Sequence, residues 1–206
     1  MIRAAFVAGL VLVSVPGTVS GQVRGFVDAG GTRFTAQNSF ATILGTSGGA
    51  VFGGGVEVGL LKGTFITLRA SHFTRSGRRV LLFEGERFPL DIETRVSVTP
   101  VELSAGWRLP AILKLIPYGA GGIGWHRYRE QTETGTNLED VDRRFVGYQL
   151  LGGVEFRVWR WLGAAGEAQW GSVPNALASE PNGVSSAFGE TDLGGGTIRI
   201  KVIIGP

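Results

Sequence analysis

The sequence contains no cysteine, so neither a disulfide framework nor a cysteine-ligated zinc site is available to it. Lysine is almost missing as well. Of the 20 basic residues only Lys62, Lys114 and Lys201 are lysines, and the other 17 are arginines. A soluble protein usually wears Lys and Glu on its surface, whereas the rigid arginine fork suits buried carboxylate pairs. The basic residues are scattered rather than striped, so the net charge of +3 does not point to nucleic acid. Past residue 21 no apolar run reaches the ~20 residues of a membrane-spanning helix, which excludes a helical membrane protein.

Glycine is in excess: 34 residues, more than twice the ordinary ~7%. Within helices each would cost roughly 1 kcal/mol against alanine. Disorder is also excluded, because 43% of residues are hydrophobic and only 18% are charged. Tightly turned β-structure remains. Residues 1–21 carry the marks of a cleaved secretory signal: Arg3, the mostly apolar run Ala4–Val15, the breaker Pro16, and small residues in Val19-Ser20-Gly21 before Gln22. The expected organisation is a signal peptide over 1–21 and one β-barrel domain over 22–206.

Eight stretches alternate in the period-2 manner of strands, near the ~9–11 residues a tilted membrane strand requires. They run about Val23–Thr35, Gly49–Leu61, Thr64–Thr74, Thr94–Leu109, Ile116–Tyr128, Phe145–Val158, Trp161–Trp170 and Gly196–Ile204. In the fourth, Val96 and Val98 are followed by Val101, Leu103, Ala105 and Trp107. That change of phase predicts a bulge of one residue at Pro100. Connections alternate between short (Lys62-Gly63, Pro110–Leu115, Trp159-Arg160) and long and polar (about 36–48, 75–93, 129–144 and 171–195). Short turns at one end and long loops at the other predict a closed, antiparallel, eight-stranded up-and-down transmembrane barrel. Within the second loop, 80–90 contains a further hairpin. Ten strands are the alternative, and an extension above the membrane is preferred because its runs are short.

Alternation alone does not say which face meets lipid, since a soluble lipocalin-like ligand-binding barrel alternates with its apolar face inward. The charges favour the membrane arrangement. Glu57, Arg69, Glu102, Glu155, Arg157, Glu167 and Arg199 share the phase opposite the apolar residues. An arginine at the lipid midplane costs about 2–4 kcal/mol, whereas inside a barrel these groups can form a structural salt-bridge network. The aromatics predict two interfacial girdles: Trp107, Tyr118, Trp159 and Trp161 at the short-turn end, and Trp125, Tyr128, Tyr148 and Trp170 toward the long loops.

The run Pro117-Tyr118-Gly119-Ala120-Gly121-Gly122-Ile123-Gly124 resembles the fifth strand of OmpA-like and opacity-protein-like outer membrane β-barrel domains. Leu151-Gly152-Gly153-Val154-Glu155-Phe156 is similar to their sixth, and Glu167 to a position in their seventh. The resemblance spans essentially all of 22–206. It implies location in the bacterial outer membrane, contact with outer membrane lipids, and insertion by the barrel assembly machinery. The end of the chain, Ile203-Ile204-Gly205-Pro206, departs from the aromatic terminus usual in that family.

Function is less legible. No catalytic set, metal site or cofactor is expected. An outer-leaflet lipid A-modifying hydrolase would need a Ser–His–acid set, and the adjacent Ser71 and His72 point to opposite faces of a strand. The carboxylates are expected to be structural rather than acid–base catalysts, because eight-stranded interiors are only wide enough for side chains. Arg75, Arg78, Arg79, Arg143 and Arg144 flank long loops and are candidates for contact with anionic lipid, including lipopolysaccharide phosphates. The expected role is structural or surface-interactive, with loops presented for adhesion, lipid or partner contact and with no open pore.

Overall fold

A computed structural model describes residues 22–83, 86–132, 141–177 and 184–206, without the side chains of 79–91 and 132. The expected signal peptide lies outside the described residues. Eight strands form a closed barrel: β1 (Val23–Phe34), β2 (Gly48–Gly59), β3 (Thr64–Phe83), β4 (Glu86–Arg108), β5 (Leu115–Thr132), β6 (Val141–Trp159), β7 (Leu162–Ser172) and β8 (Gly195–Ile204). Each pairs antiparallel with the next, and β8 closes on β1 with Asp28 opposite Lys201. Closure removes the sheet edge around the lower barrel, where every strand is paired on both sides.

The barrel is lopsided. β3 to β6 are 20, 23, 18 and 19 residues long, whereas β1, β2, β7 and β8 have 12, 12, 11 and 10. One half is therefore a tall wall that rises past the other. The hairpin within the second long connection is an extension of β3 and β4, not a ninth and tenth strand. At the opposite end the turns are tight. Leu61–Gly63 makes one 3-10 turn, with Lys62 and Gly63 in the left-handed region at φ 58° and 82°, a geometry that glycine tolerates best.

Two long connections are not the loose polar loops that the sequence suggests. The first contains α1 (Gln37–Leu44), whose Phe40 and Leu44, together with Ala36 just before it, are buried in the barrel mouth at helical spacing. The last contains the single turn α2 (Val184–Ala187) and folds back so that Val173, Ala176 and Leu193 are buried beside them.

The expected bulge at Pro100 is absent. The β3–β4 ladder reads Ala70↔Val101 and resumes at Phe73↔Val98 without a shift, and β5 pairs continuously through Pro100↔His126. Proline has no N–H to donate, and the two intervening β3–β4 positions fall out of the ladder without displacing it. Val96 and Val98 keep the phase of Glu102 and Ser104, and all four are buried in the lumen. What changes at Pro100 is the chemistry of the interior. The β3–β4 register slips higher up, between Arg78 and Val80.

Candidate functional site

The lower lumen is a packed ionic network. Arg24 is its first hub. Its guanidinium donates to Glu57 at 2.6 and 2.9 Å, and to both oxygens of Glu155 at 2.7 and 3.0 Å. Arg108 joins from β4, touching Glu57 and standing 3.5 Å from Glu155. One layer up, Arg69 lies 2.6 Å from Glu167 and 3.2 Å from Asp28. Arg199 bridges the same two carboxylates at 3.6 and 3.7 Å, and the Tyr118 hydroxyl donates to Glu167 at 3.0 Å. The Lys201 ammonium reaches to 3.8 Å from Glu57 and sits 3.9 Å over the Phe26 ring. Above them the Gln169 amide donates to Glu102 at 2.7 Å while its oxygen accepts from Arg69 and Arg199.

Five cations (Arg24, Arg69, Arg108, Arg199, Lys201) thus face five carboxylates (Asp28, Glu57, Glu102, Glu155, Glu167). The balance matters because an unpaired buried charge costs several kcal/mol while a fully paired one is nearly neutral against an apolar filling, by order of magnitude. Glycine makes the room. A Cβ on inward-facing Gly55 would stand 2.8 Å from the Phe26 ring, and one on Gly153 would stand 2.6 Å from Tyr118. The glycine excess therefore lets large inward side chains cross a narrow barrel.

The upper lumen is apolar. Phe34 stacks on Phe40 of α1 with centroids 4.2 Å apart and meets Phe73 edge-on at 5.0 Å. Val96, Val98, Val173, Leu44 and Leu193 complete the plug. Polar clasps hold its two loops. Glu190 accepts from the backbone N–H groups of Asn38 (3.0 Å) and Ser39 (2.8 Å) and from the Ser39 hydroxyl (2.6 Å), a carboxylate cap at the α1 N-terminus that no residue of the helix itself supplies. Burial opposes the Glu190 charge, but these bonds prevail and hold its pKa below the ordinary value. Asp192 accepts from the Val173 and Gly194 N–H groups at 2.8 and 2.6 Å and from Ser172. Between network and plug lies a cavity of about 60 Å³ bordered by Glu102, His126, Gln149 and Arg199, with room for a few waters.

The outer face is the reverse of the lower lumen. Val27, Phe52, Leu150, Ile198 and Ile200 stand exposed at 61–71%, and among the described residues no outward strand position in this band is charged. On β6 the outward run Val146–Val158 rises about 40 Å, which a tilt of roughly 40° reduces to the ~30 Å of bilayer hydrocarbon. A surface of this kind is stable against acyl chains and not against water. A lipocalin-like barrel would have the opposite polarity.

Glu57, Arg69, Glu102, Glu155, Glu167 and Arg199 are all brought together in the lumen. Arg157 is only at its rim, with a side chain 39% exposed and 3.5 Å from Glu155. The network has four further members that the sequence reading misses: Arg24, Asp28, Arg108 and Lys201. Arg24, Asp28 and Lys201 do carry a signal, since they share the inward phase of β1 and β8. Trp107, Trp159 and Trp161 stand exposed as one outer group at the short-turn end, with Trp159 and Trp161 stacked at 5.9 Å. Trp125, Tyr148 and Trp170 stand exposed as a second group toward the long loops. Two aromatics do not belong to either. Tyr118 is buried in the network and Tyr128 faces inward against the plug, because on β5 the even residues point inward. Of the candidate lipid-contacting arginines, Arg144 points outward and exposed and Arg78 stands exposed opposite Glu93. Arg75 turns to the mouth and donates to the Gly48 carbonyl at 3.5 Å. Arg143 is half-buried, and the Arg79 side chain lies outside the described residues. Ser71 is buried while exposed His72 bonds Thr99 at 2.9 Å, so the two form no catalytic pair.

No protein-family model and no curated protein sequence matches this chain. Solved structures do. A major outer membrane protein from Thermus thermophilus aligns with a TM-score of 0.56 at 9% identity, over 89% of this chain and 99% of that one. Neisserial surface protein A aligns at 0.54 and 11% identity, over 89% and 96%. The N-terminal β-barrel domain of Pseudomonas aeruginosa OprF aligns at 0.50 and 12% identity, over 90% and 99%. The chain has the fold of the eight-stranded outer membrane β-barrels.

Proposed function

We propose that the protein is an integral outer membrane barrel of structural and surface-interaction type, closed to steady flux and inserted by the barrel assembly machinery. The observation that carries this reading is the double closure of the lumen. A five-against-five ion network lies below and an apolar plug from two loops lies above, inside a wall whose outer band is uncharged. An open pore needs a continuous water-filled path, and the side chains of the two layers fill the lumen where such a path would run. Because two of the four long connections are folded into the mouth, the tall wall of β3 to β6 is the part that remains for adhesion, lipid or partner contact.

Three measurements test the reading together. The native protein is expected in the membrane pellet, as a heat-modifiable band on gels, and without a stable conductance in planar bilayers. A soluble monomer in the absence of detergent would overturn the membrane placement. A long-lived open conductance would overturn the closed lumen.

A further inference from the structure

The cross-strand register fixes where the outer face of the tall wall leaves the hydrocarbon. One row of outward residues reads Gly54, Ala70, Val101, Trp125, Val146 across β2 to β6. Two residues higher, the next reads Phe52, His72, Thr99, Arg127, Arg144. Above that come Thr74, Ser97, Arg129, Asp142, and then Ser76, Arg95, Gln131. The switch from apolar to cationic is complete within one row. Two residues span about 6.6 Å of strand, or ~5 Å along the membrane normal at the usual tilt, and the headgroup layer is roughly 5–7 Å deep. By that measure Arg127 and Arg144 stand at the depth of the lipid phosphates, with Arg129 one row and Arg95 two rows above them.

Among the described residues, partners within the chain account for only two of these arginines. Arg127 and Arg144 are directly opposite on adjacent strands, and like charges so placed are destabilising. Asp142 engages two of the arginines: Arg127 donates to its Oδ1 at 2.9 Å, and Arg129 donates to its Oδ2 at 3.0 Å. That double pairing holds the Asp142 carboxyl below the usual carboxylate range, with Arg127 the larger cause. Among the described residues neither Arg144 nor Arg95 has an ion-pair partner. Thr99 and Ser97 add hydroxyl donors in the same rows.

We infer that Arg95, Arg127, Arg129 and Arg144, with Thr99, form a binding patch for phosphate-bearing lipid headgroups of the outer leaflet. The inference rests on the membrane placement proposed above. Forked arginines match phosphate oxygens in pairs, and the girdle residues Trp125 and Tyr148 lie directly below to take the acyl chains.

The test uses the whole protein in detergent, offered diphosphoryl lipid A, monophosphoryl lipid A and phosphatidylcholine, with retained lipid counted by native mass spectrometry. Wild type is expected to prefer the diphosphoryl lipid. The double variant Arg95→Ser/Arg144→Ser should retain about fivefold less, the loss expected for two exposed ion pairs. Asp142→Asn, which releases Arg127 and Arg129, should retain more, a gain that misfolding does not mimic. Equal retention of the three lipids, or retention unchanged in the double variant, overturns the patch. Displacement of the lipid by millimolar inorganic phosphate also overturns it, since the site would then read a free anion. Absence of a heat-dependent gel shift in wild type would instead sink the barrel reading itself.

Discussion

Below Pro100 the lumen is charged, and above it the lumen is apolar, yet the same phase of every strand points inward throughout. The outer face inverts with it, from uncharged band to arginine rows. The lower half is a membrane barrel and the upper half is built like a soluble one, with its apolar side in. Strand alternation is a property of the backbone, and which phase is apolar depends on the medium outside. The two halves also obey different rules. Ion pairs are directional and fail one by one when a partner is lost, whereas an apolar filling can be supplied by loops and yields locally.

That difference is sharpest at Glu155. Its side chain is 1% exposed and answers Arg24, Arg108 and Arg157 at once. Glu155→Ala leaves the buried Arg24 and Arg108 to share Glu57 alone. The expected loss is about 3–5 kcal/mol of global stability, measured by urea unfolding in vesicles with tryptophan fluorescence. A loss below about 1 kcal/mol would mean that water reaches the network and the lower lumen is not dry.

Phe40→Ala tests the upper half by removing the ring stacked on Phe34. A buried phenylalanine is worth about 3 kcal/mol or more, but here the loss should stay local. Amides of α1 are expected to exchange faster with solvent while those of β7 and β8 in the lower barrel do not. Equal acceleration in both regions would show that the two fillings act as one core.

This boundary is also where the sequence stops being legible. Charges in one phase and apolar residues in the other mark the eight strands and six lumen residues, because below the boundary each phase meets one medium. Val96 and Val98 reverse the pattern, and from sequence alone a reversal and a one-residue bulge look alike. Only the register separates them. The ambiguous phase of β5 hides Tyr118 and Tyr128 for a related reason: its glycines and aromatics do not declare a face. The short helix α1 lacks a local capping side chain, and its cap, Glu190, is 151 residues from Ser39, beyond the reach of any short-range signal.

Gly77 is a smaller test of how the plug is seated. A Cβ there would come within 2.0 Å of the Ile43 carbonyl oxygen, so α1 rests on bare backbone of the tall wall. Gly77→Ala is expected to push the helix off and to cost about 2 kcal/mol, as overpacking does. Faster cleavage of the first long connection by protease would report it, and an unchanged cleavage pattern would mean that α1 has another seat.

The mildest change is Glu190→Gln, which keeps the shape of the clasp and removes its charge. The cap should weaken by about 1 kcal/mol, seen as faster exchange of the Asn38 and Ser39 amides. The pH dependence gives the sign. A carboxyl whose folded pKa lies below its unfolded one contributes its full stability above the unfolded value, and loses it as pH falls through the folded value. The clasp of wild type is therefore expected to hold from neutral pH down to the ordinary glutamate range, and to open below it. In the glutamine variant the same amides should exchange at one rate, corrected for intrinsic chemistry, across that interval. If wild type is equally flat, the Glu190 charge does not hold the plug, which then rests on its phenylalanines and on the Asp192 clasp.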